Sequence, residues 1–130
     1  MPGPDAYRLM VVEDDPVLRA ALVHLLTQAR FNVVATSDGI EALEVFSTAP
    51  AGIDLILTDV HMPRLDGVGL LRRVRALSAQ VPVILMSARE VPATLGLCGR
   101  TRFLMKPARV DLLLSSIHEL LDDVQRATQV

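Results

Sequence analysis

The chain has one cysteine, Cys98, one lysine, Lys106, and no tryptophan among its 130 residues. A lone cysteine excludes an internal disulfide and a cysteine-built zinc site. Aromatic residues are sparse: Tyr7, Phe31, Phe46 and Phe103. No apolar run approaches the roughly 18 residues of a membrane span. The opening stretch MPGPDAYR has neither a basic nor an apolar signal region, so a cytoplasmic protein with no membrane association is expected. A net charge of −2 argues against a nucleic-acid surface. Twelve of the thirteen basic residues are arginine, so the single lysine is a poor fit to an arbitrary surface choice.

What is present is apolar and periodic. Half the residues are hydrophobic (51%) and 22% are charged, which suits a packed globule and not a disordered chain. The length fits one domain over residues 1–130, with an ordered core over about 7–124 and tails over 1–6 and 125–130. Strand-like runs at Tyr7–Val12, Asn32–Thr36, Ile53–Thr58, Val81–Met86 and Thr101–Met105 alternate with helical patterns. Asp15-Pro16 opens the first helix, because aspartate caps and proline suits the first helical position. Its apolar stripe is Val17, Leu18, Ala21, Leu22, Leu25 and Leu26. Later stripes use Ala42, Leu43, Val45 and Phe46, then Val68, Leu70, Leu71, Val74 and Leu77. The last helix is expected over Val110–Val124, burying Leu112, Leu113, Ile117, Leu120 and Leu121. The sum is a (βα)₅ doubly wound α/β fold. A five-stranded parallel sheet in the flavodoxin-like order 2-1-3-4-5 leads, with helices on both faces.

Polar residues inside the strand ends carry the chemistry. Glu13, Asp14 and Asp15 follow strand one, Asp59 strand three, Ser87 strand four, and Lys106 closes strand five. These are carboxyl ends of parallel strands, where open α/β sheets bind ligands. The topology sets Asp59 beside Glu13 and Asp14. At about 4 Å, two like charges repel by roughly 4 kcal/mol at an effective dielectric near 20. A positive group is therefore needed, either Lys106 or a divalent cation. An oxygen-only ligand set favours Mg²⁺ over zinc. A carboxylate between Mg²⁺ and a lysine can attack phosphorus, because both cations neutralise phosphoryl oxygens.

Five segments in order carry a family resemblance: Leu-Met-Val-Val-Glu13-Asp14-Asp15-Pro, Ser-Asp38-Gly39-Ile-Glu-Ala-Leu, Leu-Ile-Leu-Thr-Asp59-Val-His-Met-Pro63-Arg-Leu-Asp66-Gly67, Val-Pro-Val-Ile-Leu-Met-Ser87-Ala88 and Phe103-Leu-Met-Lys106-Pro107. From about Arg8 to Val124 the chain resembles the receiver domain of two-component response regulators. The resemblance implies that Asp59 accepts a phosphoryl group from a phosphohistidine on a histidine kinase or phosphotransfer protein. It implies Mg²⁺ bound by Asp14 directly, by Glu13 through water, by Asp59 and by the His61 backbone carbonyl. Ser87 and Lys106 would bind the phosphoryl group, and Phe103 would follow Ser87 inward as a switch. The Lys106–Pro107 bond would be cis. Output would run through the face of the fourth helix, strand five and the last helix, toward a protein effector, an attached output domain or a homodimer partner. The protein would be a switch and not an enzyme turning over an external substrate.

Two features depart from the family pattern. The stretch from Ser87 to Lys106 is about one helical turn short and contains Pro92, Gly96 and Gly99, so a short or irregular fourth helix is expected. Phe103 lacks a hydroxyl. His61 and Arg89 flank the acceptor two residues beyond Asp59 and Ser87, where the family tunes phosphoryl lifetime.

Taken singly, each residue has a plain reading: Asp14 and Asp15 as caps, Asp59 as a strand-end turn residue, Ser87 as a cap, Lys106 as a solvated charge. Cys98, His24 and His118 read as packing or surface residues, and Arg72, Arg73 and Arg75 as a solvated face. Two other functions compete with the phosphoacceptor switch. A pseudo-receiver, binding protein partners without phosphorylation, would lack the acidic pair, the acceptor or the lysine. A dehalogenase-like phosphatase would carry Asp-x-Asp after strand one, whereas Asp59 follows strand three.

Overall fold

Aspartate side chains start three of the helices. The structure, a computed structural model, describes residues 7–89 and 100–128. Strand β1 (Arg8–Val12) leads to helix α1 (Pro16–Gln28), where Asp15 accepts hydrogen bonds from the Val17 and Leu18 amides. Strand β2 (Asn32–Thr36) leads to α2 (Gly39–Thr48), capped by Asp38 on the Glu41 amide. After a 3₁₀ turn (Pro50–Gly52), β3 (Leu55–Asp59) leads to α3 (Gly67–Leu77), capped by Asp66 on the Gly69 amide. Strands β4 (Val83–Ser87) and β5 (Thr101–Met105) follow, and α4 (Val110–Thr128) ends the described chain. The helix expected between β4 and β5, Cys98 within it, and the 1–6 tail lie outside the described residues.

All pairings are parallel and the order is β2-β1-β3-β4-β5, as the alternating pattern predicts. The central strands are buried along their full length because helices cover both faces. One face packs Met10, Ile56 and Leu85 against α2 and α3 through Phe46, Leu70 and Val74. The other packs Leu9, Leu57 and Ile84 against α1 and α4 through Leu26, Ile117 and Leu120. Two edges move from the expected positions. β3 begins at Leu55 and includes Asp59, and β4 begins at Val83 and includes Ser87, because register with neighbours sets strand limits. α4 runs on to Thr128, past the expected Val124.

The predicted helix stripes are only partly buried. Val17 is 79% exposed, Leu18 36%, Leu112 49% and Leu77 50%. Helix periodicity reports a face, and these residues sit at helix ends: Val17, Leu18 and Leu112 in the first turns of α1 and α4, and Leu77 at the end of α3.

Two staples hold the opposite ends of the sheet. Arg75 of α3 donates from Nη1 to the Val81 carbonyl at 2.5 Å and the Ser78 carbonyl at 3.4 Å. Its Nη2 donates to the Arg100 carbonyl and Thr101 Oγ1, both at 3.1 Å. This half-buried arginine, expected on a solvated face, instead ties α3 to the starts of β4 and β5. On the carboxyl side, Arg64 has a left-handed backbone (φ 68°) and pairs with Asp38 at 2.8 Å. There the Leu65 carbonyl lies so close to Gly39 that no Cβ would fit.

Candidate functional site

β1 and β3 are neighbours, so their ends bring three carboxylates together. Glu13, Asp14 and Asp59 each offer one oxygen, all within 4.8 Å of one another. Glu13 and Asp59 are buried, and Asp14 is exposed. Lys106, just past β5, reaches across two strand ends into this cluster. Its Nζ lies 3.1 Å from Glu13 Oε1 and forms an ion pair with Asp59 Oδ1. The lysine's position is set by its own amide, which donates to the Ser87 carbonyl at 2.7 Å. The Lys106–Pro107 peptide is cis, as expected.

The electrostatics follow from burial. Burial, then the neighbouring Asp59 carboxyl, pushes the Glu13 carboxyl above its ordinary range, against the Asp15 amide and Lys106, which favour its charged form. For Lys106, burial alone would lower the pKa. Hydrogen bonds to Asp59 and Glu13 outweigh it and leave the ammonium above the usual lysine value. The lysine is therefore charged at neutral pH.

One lysine does not balance three carboxylates. Asp59 Oδ1 is buried within this cluster and pairs with Lys106. A hard, oxygen-seeking cation suits this donor set. Mg²⁺, expected from the carboxylates, fits the residues present. Glu13, Asp14 and Asp59 are those that would hold it.

A cleft of about 260 Å³ opens beside Asp59, lined also by His61, Ser87, Arg89 and Lys106. Ser87 is buried and its Oγ accepts the Arg89 amide at 3.0 Å. His61 and Arg89 are exposed at the cleft. Phe103 is not in the cleft wall. It pairs with Leu85, two residues before Ser87 on the same sheet face, and packs half-buried against the α2–α3 core.

The residue reading missed two features. The Arg19 guanidinium donates from Nη1 to the Glu13 carbonyl at 2.9 Å. Its only sequence signal is its place one helical turn past the Asp15 cap. An apolar groove of about 370 Å³ adjoins the cleft, lined by Leu18, Leu22, Pro107, Ala108 and Leu113, and shares Met86, Ala88 and Lys106 with it. The exposed first turns of α1 and α4 build this groove.

The chain matches the response regulator receiver domain model over residues 9–118, and it belongs to that family. It is 36% identical over 106 residues to the two-component response regulator ORR7 of Oryza sativa subsp. japonica, covering 78% of this chain and 50% of that protein. The chain thus spans half the length of that relative. The signal receiver domain of a signal transduction histidine kinase from Syntrophus aciditrophicus superposes with a TM-score of 0.83 at 32% identity, covering 93% of this chain and 94% of that one. A two-component system response regulator/GGDEF domain protein superposes with a TM-score of 0.83 at 25% identity, over 94% of this chain and 51% of that one. Receiver domains of this family serve phosphorylation-dependent two-component signalling. Among the described residues, no helix is long and apolar enough to cross a membrane.

Proposed function

We propose that residues 7–124 act as one receiver domain whose Asp59 accepts a phosphoryl group from a partner phosphohistidine, in the cytoplasm. The observation that carries this reading is the buried Asp59 carboxylate between Lys106 and the Glu13–Asp14 pair, facing an open cleft. An Asp59 oxygen attacks phosphorus as the bond from phosphorus to the donor imidazole breaks. The incoming group carries about two negative charges. Lys106 passes from the Asp59 carboxylate to a phosphoryl oxygen, and Glu13 keeps the ammonium oriented through its 3.1 Å contact. Bound Mg²⁺ would supply charge neutralisation at the phosphoryl oxygens. Glu13, Asp14, Asp59 and the His61 carbonyl would hold it.

Ser87 Oγ now accepts an amide hydrogen bond, so its hydroxyl proton is available to a phosphoryl oxygen. Moving Ser87 toward the phosphate loosens the same sheet face that holds Phe103. A partner with unequal affinity for the two states of that face would then shift the population. Arg89 and His61, exposed at the cleft mouth, would set how readily water reaches the acyl phosphate. The groove of Leu18, Leu22, Pro107 and Leu113 suits an apolar surface of the phosphodonor, because it shares a wall with the cleft. Output passes to an effector, an attached domain of the kind named in the GGDEF relative, or a second copy. The phosphoryl group goes on and off the protein itself, and no external substrate is turned over. A phosphorylation-independent pseudo-receiver is not favoured, since the acidic pair, acceptor and lysine converge.

Intact mass after incubation with acetyl phosphate tests the reading. One Mg²⁺-dependent phosphoryl adduct, absent in Asp59→Asn, is expected. No adduct from acetyl phosphate or from a histidine-phosphorylated donor would refute it. Arg89→Ala should change the dephosphorylation rate, and Phe103→Ala should leave adduct formation intact while weakening effector binding.

A further inference from the structure

Asp14 is the one exposed member of the acidic cluster, and nothing about its side chain alone explains how it is aimed. Its two flanking peptide units do. The Asp14–Asp15 unit is held by the Asp15 amide, which donates to Glu13 Oε2 at 3.2 Å. The Glu13–Asp14 unit is held by the Glu13 carbonyl, which accepts from Arg19 Nη1 at 2.9 Å. That carbonyl needs such a donor. The Glu13 amide makes the last bond to β2, donating to the Thr36 carbonyl at 3.1 Å. The β1–β2 ladder ends at Val12 and Thr36, so the Glu13 carbonyl lies past the last strand pair. The α1 helix begins right after the loop, and its Asp15 cap sets the first turn in line. Arg19 sits one turn on, with its own amide bonded to the Asp15 carbonyl at 2.8 Å, and reaches back to fill the gap.

We infer that Arg19 is a positioning residue for the metal ligand Asp14, acting through the Glu13–Asp14 peptide plane. This rests on the Mg²⁺ reading proposed above. The inference has a sign that separates it from simple electrostatics. Arg19 is a cation near an acidic cluster, so its charge alone would repel Mg²⁺, and removing it would tighten binding. As a positioning residue its removal weakens binding, because the peptide plane before Asp14 is released and the carboxylate must be ordered by the ion itself.

The test is calorimetric titration of Mg²⁺ into the full chain, for the unmodified protein, Arg19→Met, Arg19→Lys and Asp14→Asn. Arg19→Met should weaken Mg²⁺ affinity by about tenfold, at the low end of losses seen for groups that orient metal ligands. Arg19→Lys keeps a donor and should recover most of that loss. In parallel, acetyl phosphate labelling of Arg19→Met should need more Mg²⁺ for half-maximal rate yet reach nearly the original plateau. Equal or tighter Mg²⁺ binding by Arg19→Met, with Asp14→Asn strongly impaired, would overturn the inference and leave the site reading intact. No Mg²⁺ binding by the unmodified protein would overturn both. If Arg19→Met fails to fold, Arg19→Ala against Arg19→Lys gives the same comparison, and equal affinities there would also overturn it.

Discussion

Replacing Lys106 by methionine isolates the charge balance of the site. The Lys106 side chain is 25% exposed, while the Glu13 and Asp59 side chains are 2% and 5% exposed. At the 3.1 Å Lys106–Glu13 separation, Coulomb attraction is about 5 kcal/mol at an effective dielectric of 20. Desolvation of both ions offsets part of it, so the attraction is not the net contribution. Removing one partner of a buried pair typically costs about 3–5 kcal/mol, since the other charge stays behind. Here two carboxylates stay behind, but burial and the neighbouring Asp59 raise the Glu13 pKa, so proton uptake there can relieve part of the cost once the ammonium is gone. That escape puts the expected loss near the lower limit, about 3 kcal/mol, in urea denaturation at pH 7 with EDTA. Asp59→Asn removes one carboxylate charge, so in that background Lys106→Met should cost only about 1 kcal/mol, giving a coupling of about 2 kcal/mol in the cycle. Adding Mg²⁺ should restore part of the stability lost in Lys106→Met and much less in the double variant. A coupling below about 0.5 kcal/mol, or a net gain from Lys106→Met, would refute the account of the lysine as counter-ion to Asp59.

Three further outcomes are expected. Arg75→Met removes four hydrogen bonds to acceptors at the starts of β4 and β5 and the end of α3, and should cost about 2–3 kcal/mol in chemical denaturation. A loss within about 0.5 kcal/mol, the usual range for a solvated surface position, would count against the staple. Asp38 has its pKa lowered by the Glu41 amide and by Arg64, so its charged form contributes stability. That contribution is full above the unfolded aspartate value of about 4 and is lost as pH falls through the lower folded value. Asp38→Asn should therefore be less stable than the unmodified protein at pH 7 and equal to it near the acid end, as read by thermal melts across pH. At Gly67 a Cβ would overlap the Asp59 main-chain carbonyl, so Gly67→Ala should displace the phosphoacceptor backbone. Its acetyl phosphate labelling should fall well below that of Gly69→Ala, where the nearest neighbour is the movable Leu65 side chain.

Several features are legible in the sequence alone. A parallel sheet follows from apolar runs alternating with helical stripes, since strands one, three and four are continuously apolar as strands covered on both faces must be, and the order 2-1-3-4-5 is the flavodoxin-like topology that leads for five such strands. Asp15 as a cap follows from local chemistry, since its carboxylate bonds amides two and three residues on. The acidic residues, Ser87 and Lys106 stood out because polar side chains at the ends of otherwise buried strands are costly without a task. Their convergence on one edge needed only the topology.

Other features depend on distances between segments far apart in the chain, and only the folded molecule supplies them. Val17 and Leu18 fit the apolar stripe of α1, yet they are exposed in its first turn. Arg75 looks like its neighbours Arg72 and Arg73, but its rotation about α3 aims it at carbonyls of β4 and β5 and leaves the other two exposed. In the sequence Lys106 is one of two candidate counter-ions, beside a divalent cation. Its bridging of both Glu13 and Asp59 depends on β5 ending two strands away, at a height set by pairing Ser87 with Met105. Arg19 carries no motif at all. Its role arises because β2 ends one residue before the Glu13 carbonyl needs a partner, and the first turn of α1 brings a guanidinium to that gap. Residue pattern records what each segment must bury, which is a local property. Which polar groups meet across the edge depends on where neighbouring strands stop, and that is decided by the packed sheet.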